Sequence, residues 1–345
     1  MGMDILANPR TPLSGLYDVP WPSSDADRPM ALLQRCPAAA VTPLVSVPEL
    51  AAMTGVAHVS VKDERARMGL GSFKALGAAY VIACDAEAST AKGRTYVTAS
   101  AGNHGLSVAA GAAAFGAKAV VYLSQSVPHA FADRLAAMGA TVVRHGDIYE
   151  DSMAGAQAAA MEKGWTLLSD SSWTGYMDRP HRLMEGYLTL MAEAVDQMDA
   201  PPSHIFLQAG VGGLAVACAT YARNVWGASP KIVIVEPTAA PAIHASIAAG
   251  SAQTTTGPVS NMGRLDCKEP SLIALKGLAR DADFFALISE DEGQMGADVA
   301  ATLGLPSTPS GAAGIAGLLA ASGHQAELGL TPSSHVLCIL SEEAT

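Results

Sequence analysis

The chain has 345 residues, is 50% hydrophobic and only 15% charged, and carries a formal net charge of −11. That composition belongs to a globular protein with one large or two medium domains and excludes a disordered chain. The acids are scattered, no basic stripe offers itself to nucleic acid, and no charge-free apolar window of about 18 residues offers a membrane span.

In chain order, the first 50 residues are rich in proline and poor in pattern, and are expected to wrap the surface or lie at a subunit contact. Strand candidates follow: "HVSVKDE" from His58, "TYVTAS" from Thr95, "KAVVYLS" from Lys118, "TVVRHG" from Thr141 and "WTLLSDSS" from Trp165. Later come "SHIFLQAG" from Ser203, "KIVIVEP" from Lys231, "FFALISE" from Phe284 and "HVLCIL" from His335. The segments between them read as helices. Such alternation predicts an α/β fold with parallel sheets covered on both faces. The four strands between Thr95 and Ser172 are compact, which predicts a small α/β domain (88–184) inserted into a larger one (1–87 and 185–345).

The five cysteines, Cys36, Cys84, Cys218, Cys267 and Cys338, are dispersed and form no CxxC. They read as reduced core thiols of a cytoplasmic protein. The nine histidines form no HxxxH pair, so no metal site is expected, and the N-terminal stretch lacks the features of a secretion signal.

Chemistry begins at "KDERARMGLGSFKALGAAYV", residues 62–81, where Lys74 stands between a glycine-rich turn and an alanine-rich helix with no acid beside it in sequence. Most lysines are solvated surface charges. An amine held in apolar surroundings instead loses proton affinity and becomes a nucleophile toward aldehydes. Two further glycine-bearing turns decide between these. In "TASAGNHGLSVAAGAAAFG" a strand ends at Ser100 and the chain turns through Ala101, Gly102, Asn103 and His104 into a helix, exposing N–H groups and a hydroxyl to an anion. Taken alone it is equally an ordinary loop. In "IFLQAGVGGLAVACA" a strand ends at Gln208, and Gly210, Val211, Gly212, Gly213 and Leu214 open a helix as a phosphate cradle. It has neither the GK[ST] of a nucleoside triphosphate loop nor GxGxxG spacing, although Glu236 at the end of the next strand keeps a dinucleotide reading alive. A lysine, an anion loop about 30 residues on and a downstream phosphate cradle suit a cofactor with an aldehyde and a phosphate tail, which is pyridoxal phosphate.

These blocks carry a resemblance to the fold-type II pyridoxal phosphate enzymes, the tryptophan synthase β-like group that includes threonine dehydratase and cysteine synthase. Within it the chain is most similar to the diaminopropionate ammonia-lyase family. "KDERARMGLGSFKALG", "SAGNHG", "DSSWTGYMDRPHRLMEGYLTL", "IFLQAGVGGLA", "IVEP", "NMGRLDCKEPS" and "SGAAG" occur in the family's order from about Val61 onward. The resemblance implies two doubly wound domains, a homodimer and a small amino-acid substrate. It implies that Lys74 bonds the cofactor aldehyde and shuttles the Cα proton, and that Asn103 hydrogen-bonds the cofactor's phenolic oxygen. Gly210, Gly212 and Gly213, with Val211 and Leu214 between and beside them, would hold the phosphate. Ser341, in "CILSEEAT", would face the pyridine nitrogen and leave it unprotonated, which suits β-elimination. Ser100, Ala101, Gly102 and His104 would line the substrate carboxylate.

The chain departs from the family at Ala101, where the ammonia-lyase pattern has an acid two residues before the asparagine. That departure weakens the expectation of activity on a D-isomer or on a diamino substrate. Asp170, three residues before Trp173, is retained; it reads as orienting a leaving amine or hydroxyl, or as a turn aspartate. Arg179, Arg182 and Arg264 stand at positions expected to be less basic, and Arg264 reads either as a ligand for an acidic substrate side chain or as a surface arginine. The expected function is α,β-elimination from a β-substituted L-amino acid, giving a 2-oxo acid and ammonia. The alternatives are serine/threonine-type or hydroxyaspartate-type dehydration, β-replacement or racemisation on the same fold. A non-catalytic ligand-binding relative and a nucleotide-dependent oxidoreductase are more distant readings.

Overall fold

A computed structural model describes residues 3–344. Among the described residues, eleven strands form two sheets: β1 (Asp4–Ala7), β2 (Leu44–Ser46), β3 (His58–Asp63), β4 (Thr95–Ala99), β5 (Lys118–Leu123), β6 (Thr141–Arg144), β7 (Thr166–Leu167), β8 (His204–Gln208), β9 (Lys231–Pro237), β10 (Phe284–Ile288) and β11 (His335–Leu340). The larger sheet runs β1-β10-β9-β8-β11-β3-β2, and the smaller runs β6-β5-β4-β7. The interior pairs are parallel, whereas β1 and β2 close the two edges of the larger sheet antiparallel. Both edge strands come from the proline-rich first 50 residues, which therefore do more than wrap the surface.

Successive residues of the central strands feed opposite layers. Ile205, Leu207, Ile232, Ile234, Leu337 and Ile339 join one core, while Phe206, Val233, Val235, Val336 and Cys338 join the other. Burial on both faces is why these strands read as unbroken apolar runs. In the first layer the helix Lys74–Glu87 lies against the helix Asp178–Asp196. A Cβ on Gly186 would stand 2.6 Å from the Leu76 carbonyl, and one on Gly77 would stand 2.6 Å from the Tyr187 ring, so two glycines set this close crossing.

A buried ionic network ties the early chain to that helix. Lys62 Nζ donates to the Thr42 carbonyl (2.7 Å), Glu193 (2.8 Å) and Gln197 (2.9 Å), and Arg67 forks between Glu64 and Glu193 at 2.7 Å each. No helix among the described residues is long and apolar enough to cross a membrane.

Candidate active site

Parallel strands point their carboxyl ends the same way, and α/β sites gather there. Beyond β3 lies the turn to Lys74, beyond β4 the asparagine loop, beyond β7 Asp170, beyond β8 the glycine cradle, and beyond β11 Ser341 and Glu342.

Lys74 is the first residue of its helix. Ser72 Oγ accepts its backbone N–H (3.2 Å), and Phe73 N–H donates to the Ser341 carbonyl (3.1 Å). Ser72 bridges Glu342, and Glu343 N–H donates to the Gly71 carbonyl. This stitching fixes the lysine turn to the end of β11. Lys74 Nζ reaches Asp170 Oδ2 at 2.5 Å and lies 5.2 Å from the Phe73 ring centroid and 5.8 Å from that of Tyr187. The acid absent beside Lys74 in sequence is therefore present in space. Burial pulls the Lys74 ammonium toward the neutral amine, but the Asp170 carboxylate more than reverses this, and its pKa is raised. Burial pushes Asp170 the other way; Lys74 and then His104 overcome it, and its pKa is held below the carboxylate range.

The Asp170 carboxylate is engaged with the lysine through Oδ2. Its loop is held by the block that follows. Trp173 and Tyr176 exchange backbone hydrogen bonds (3.2 and 2.8 Å) around Thr174 and Gly175, and their rings stack at 4.4 Å. The Tyr176 hydroxyl donates to the Leu167 carbonyl (2.9 Å) and accepts from Ser169 N–H (3.1 Å). Trp-x-Gly-Tyr is thus a tight turn that aims Asp170.

In the asparagine loop, Ser100 Oγ accepts Gly102 N–H at 3.2 Å, so this hydroxyl shapes the turn, while Ala101 is exposed. Asn103 Nδ2 donates to Glu342 in a very short contact. His104 is buried and its Nε2–H donates to the Leu168 carbonyl (2.8 Å), which leaves Nδ1 without a partner among the described residues. Burial lowers its pKa.

The cradle fits a phosphate. The N–H groups of Gly210, Gly212, Gly213 and Leu214 meet no backbone acceptor among the described residues, and they stand at the start of the helix Gly213–Trp226. Gly212 has φ +97, and a Cβ there would press on Ala274 and Ile243 at 2.9 Å. A Cβ on Gly210 would meet Cys267 Sγ at 3.0 Å and the Arg264 carbonyl at 3.1 Å. Free donors, a helix dipole and room for no side chain are what a phosphate oxygen needs. With Lys74 at the same cleft, the residues fit pyridoxal phosphate.

Ser341 is buried, and its N–H donates to the Gly311 carbonyl at 3.1 Å. Arg264 lies at the cleft with its Nε 3.7 Å from Glu342. Arg179 does not: its guanidinium donates to Asp85 at 2.8 Å in a cluster with Arg94 and Tyr96. Arg182 neighbours Cys84 and Glu185.

Three residues escaped the sequence reading. Glu342 is buried and accepts from Asn103 and Thr308; burial pushes its pKa up, with Arg264 pulling it back. Its position just past a parallel strand was the available signal. The Tyr187 hydroxyl is buried without a hydrogen-bond partner among the described residues, next to Lys74 and Asp170. The Cys267 thiol borders the cradle, and burial drives it up to about 12.

The family model for pyridoxal-phosphate dependent enzymes matches residues 36–342. The chain belongs to this family. It is 32% identical over 341 residues to the diaminopropionate ammonia-lyase of Escherichia coli K12, covering 88% of this chain and 84% of that one. The Salmonella typhimurium enzyme of the same name is 34% identical over 273 residues, covering 71% of this chain and 68% of its own length. The E. coli lyase solved with an aminoacrylate-PLP azomethine reaction intermediate superimposes with a TM-score of 0.88 at 30% identity, covering 99% of this chain and 94% of that one. A threonine deaminase from Solanum lycopersicum, at 20% identity and a TM-score of 0.84, shares the fold. As a family member the chain uses pyridoxal phosphate and has the tryptophan synthase β-like α/β architecture.

Proposed function

We propose that this protein is an ammonia-lyase that eliminates a β-substituent from an L-amino acid and releases a 2-oxo acid and ammonia. The observation that carries the reading is Lys74 Nζ 2.5 Å from Asp170, together with a cradle whose N–H groups meet no backbone acceptor among the described residues. Bound pyridoxal phosphate supplies an electron sink conjugated to the substrate Cα. Everything else is the chain's own work. Gly210, Gly212, Gly213 and Leu214 hold the phosphate, with Val211 between them, and Asn103 and Ser341 fix the ring. The turn at Ser100, Ala101, Gly102 and His104 receives the α-carboxylate. Lys74 takes the Cα proton and returns it to the departing group. Asp170 holds that amine or hydroxyl as it leaves, and the freed enamine hydrolyses in water.

Asp170 can accept a hydrogen bond from either kind of leaving group, so a dehydratase reaction uses the same parts. The reading extends to a homodimer in the cytoplasm and to a small inserted domain spanning 88–184; the first two rest on the family resemblance and the cysteine pattern. The test begins with borohydride reduction and peptide mapping, which should place the cofactor on Lys74. Titration with diaminopropionate, serine, threonine and acidic β-substituted amino acids should then change the visible band and release ammonia with at least one of them. A colourless protein, or a cofactor mapped elsewhere, removes the proposal.

A further inference from the structure

Resting on that reading, we infer that the substrate carries a second carboxylate besides its α-carboxylate, and that Arg264 selects it. Arg264 stands on the loop that also borders the phosphate cradle, and its backbone N–H is pinned by Ser310 Oγ at 3.1 Å. Its side chain crosses the turn that opens the helix Asn103–Ala114. Arg264 Cδ and Nε lie 3.3 Å from where a Cβ on Gly102 would be, so the guanidinium leans on the turn proposed for the α-carboxylate.

The fork is free to bind. Its N–H groups donate no hydrogen bond among the described residues, and its nearest acid, Glu342, lies at 3.7 Å, beyond a hydrogen bond. Glu342 is already committed to Asn103 and Thr308. Lys74 and Asp170 neutralise each other. Glu342 opposes the charge of Arg264 at 3.7 Å but takes no hydrogen bond from it, so the guanidinium keeps its donors unspent, with 37% of its side chain open to solvent. A planar guanidinium with unspent donors recognises a carboxylate through two parallel hydrogen bonds, which neutral side chains cannot match. The unspent donors find acceptors on a carboxylate and none on an ammonium, so an anionic side chain is the one the fork draws in.

The experiment uses the holoenzyme and two ligands of equal shape that lack a β-leaving group, L-aspartate and L-asparagine. Each is titrated against the visible band of the bound cofactor. L-Aspartate should perturb the band at a concentration at least tenfold lower than L-asparagine. R264Q should bring that preference to about one, and R264K should retain part of it. A parent protein without the preference overturns the inference, as does a preference that survives in R264Q, the result expected if Arg264 is a surface residue or an α-carboxylate ligand. β-Chloro-L-alanine, which has one carboxylate and a good leaving group, separates this from the reading beneath it. Pyruvate from β-chloro-L-alanine without an aspartate preference sinks the second carboxylate alone. Failure to process both β-chloro-L-alanine and 3-hydroxy-L-aspartate, which joins a β-leaving group to a second carboxylate, despite an intact visible band sinks the elimination reading instead.

Discussion

Gly212→Ala is the sharpest perturbation of the cradle. Gly212 holds φ +97, and an L-residue there carries about 1–2 kcal/mol of backbone strain. The new methyl would stand 2.9 Å from both Ala274 Cβ, which has no rotamer to change, and Ile243 Cδ1, a terminal methyl that is itself fully buried. Such overpacking adds about 1–3 kcal/mol and is relieved by moving the helix start. That movement displaces the N–H groups of Gly212, Gly213 and Leu214, and each charge-assisted hydrogen bond is worth about 1.5–3 kcal/mol. Losing the equivalent of one to two bonds weakens cofactor binding by roughly 10- to 10⁴-fold. Gly139→Ala is the control: φ is +85 with nothing within 4 Å, so it carries strain without collision. Equilibrium binding of pyridoxal phosphate and thermal melting of the cofactor-free protein measure the two effects separately. If Gly212→Ala binds the cofactor within threefold of the parent and melts like Gly139→Ala, the cradle argument fails.

Asp170→Asn leaves burial unopposed at Lys74, so the amine should titrate lower and react with the cofactor aldehyde at lower pH, while turnover falls by about 10²–10⁴; an unchanged pH midpoint for cofactor attachment would contradict this. Glu193→Gln strands Lys62 and Arg67 in the core with Glu64 alone, and urea unfolding should show a loss of about 3–5 kcal/mol. Glu236 is driven up to about 8 by burial, against the N–H groups of Ile243 and His244 that favour its charged form. A group raised in the folded state contributes stability below its unfolded pKa of about 4.5 and loses it as pH climbs toward 8. Melting temperatures of Glu236→Gln should therefore gain on the parent between pH 5 and pH 8, and parallel curves across that window would refute it.

Much of this was legible because burial on two faces writes itself into sequence. "HIFLQ" and "KIVIVEP" are apolar runs since both sides of β8 and β9 are covered. β1 and β2 were illegible for the opposite reason: "DILA" and "LVS" are short edge strands, partly exposed and flanked by loop residues. "WTLLSDSS" promised a full strand, but only Thr166 and Leu167 pair, because the rest of the segment turns to deliver Asp170. The proposed cradle could be put forward from glycines at a strand-to-helix turn, a local feature. The Lys74–Asp170 contact, 96 residues apart in sequence, is tertiary, and no spacing rule predicts it. Glu342 is the same case, since its meaning depends on Asn103, Thr308 and Arg264 arriving from three other segments.

The two groups of the proposed proton shuttle are anchored to different sheets, and this bears on how one lysine can both take and give a proton. Lys74 is tied through Phe73 and Ser72 to the end of β11, whereas Asp170 is tied through Tyr176 to β7. A lysine governed by burial alone would rest as the neutral amine, able to accept a proton but with none to return. One bonded permanently to a carboxylate would rest as the ammonium and could not take the Cα proton. With 21% of each side chain open to the cleft, the pair can be separated by whatever enters it. A leaving amine or hydroxyl that displaces Lys74 from Asp170 removes the influence that raised the lysine, and burial then lowers it toward the basic, neutral form. In the proposed shuttle the acid couples arrival of the leaving group to the moment Lys74 becomes a base, and Lys74 passes its proton to that group while burial still keeps its proton affinity low, before the group vacates Asp170.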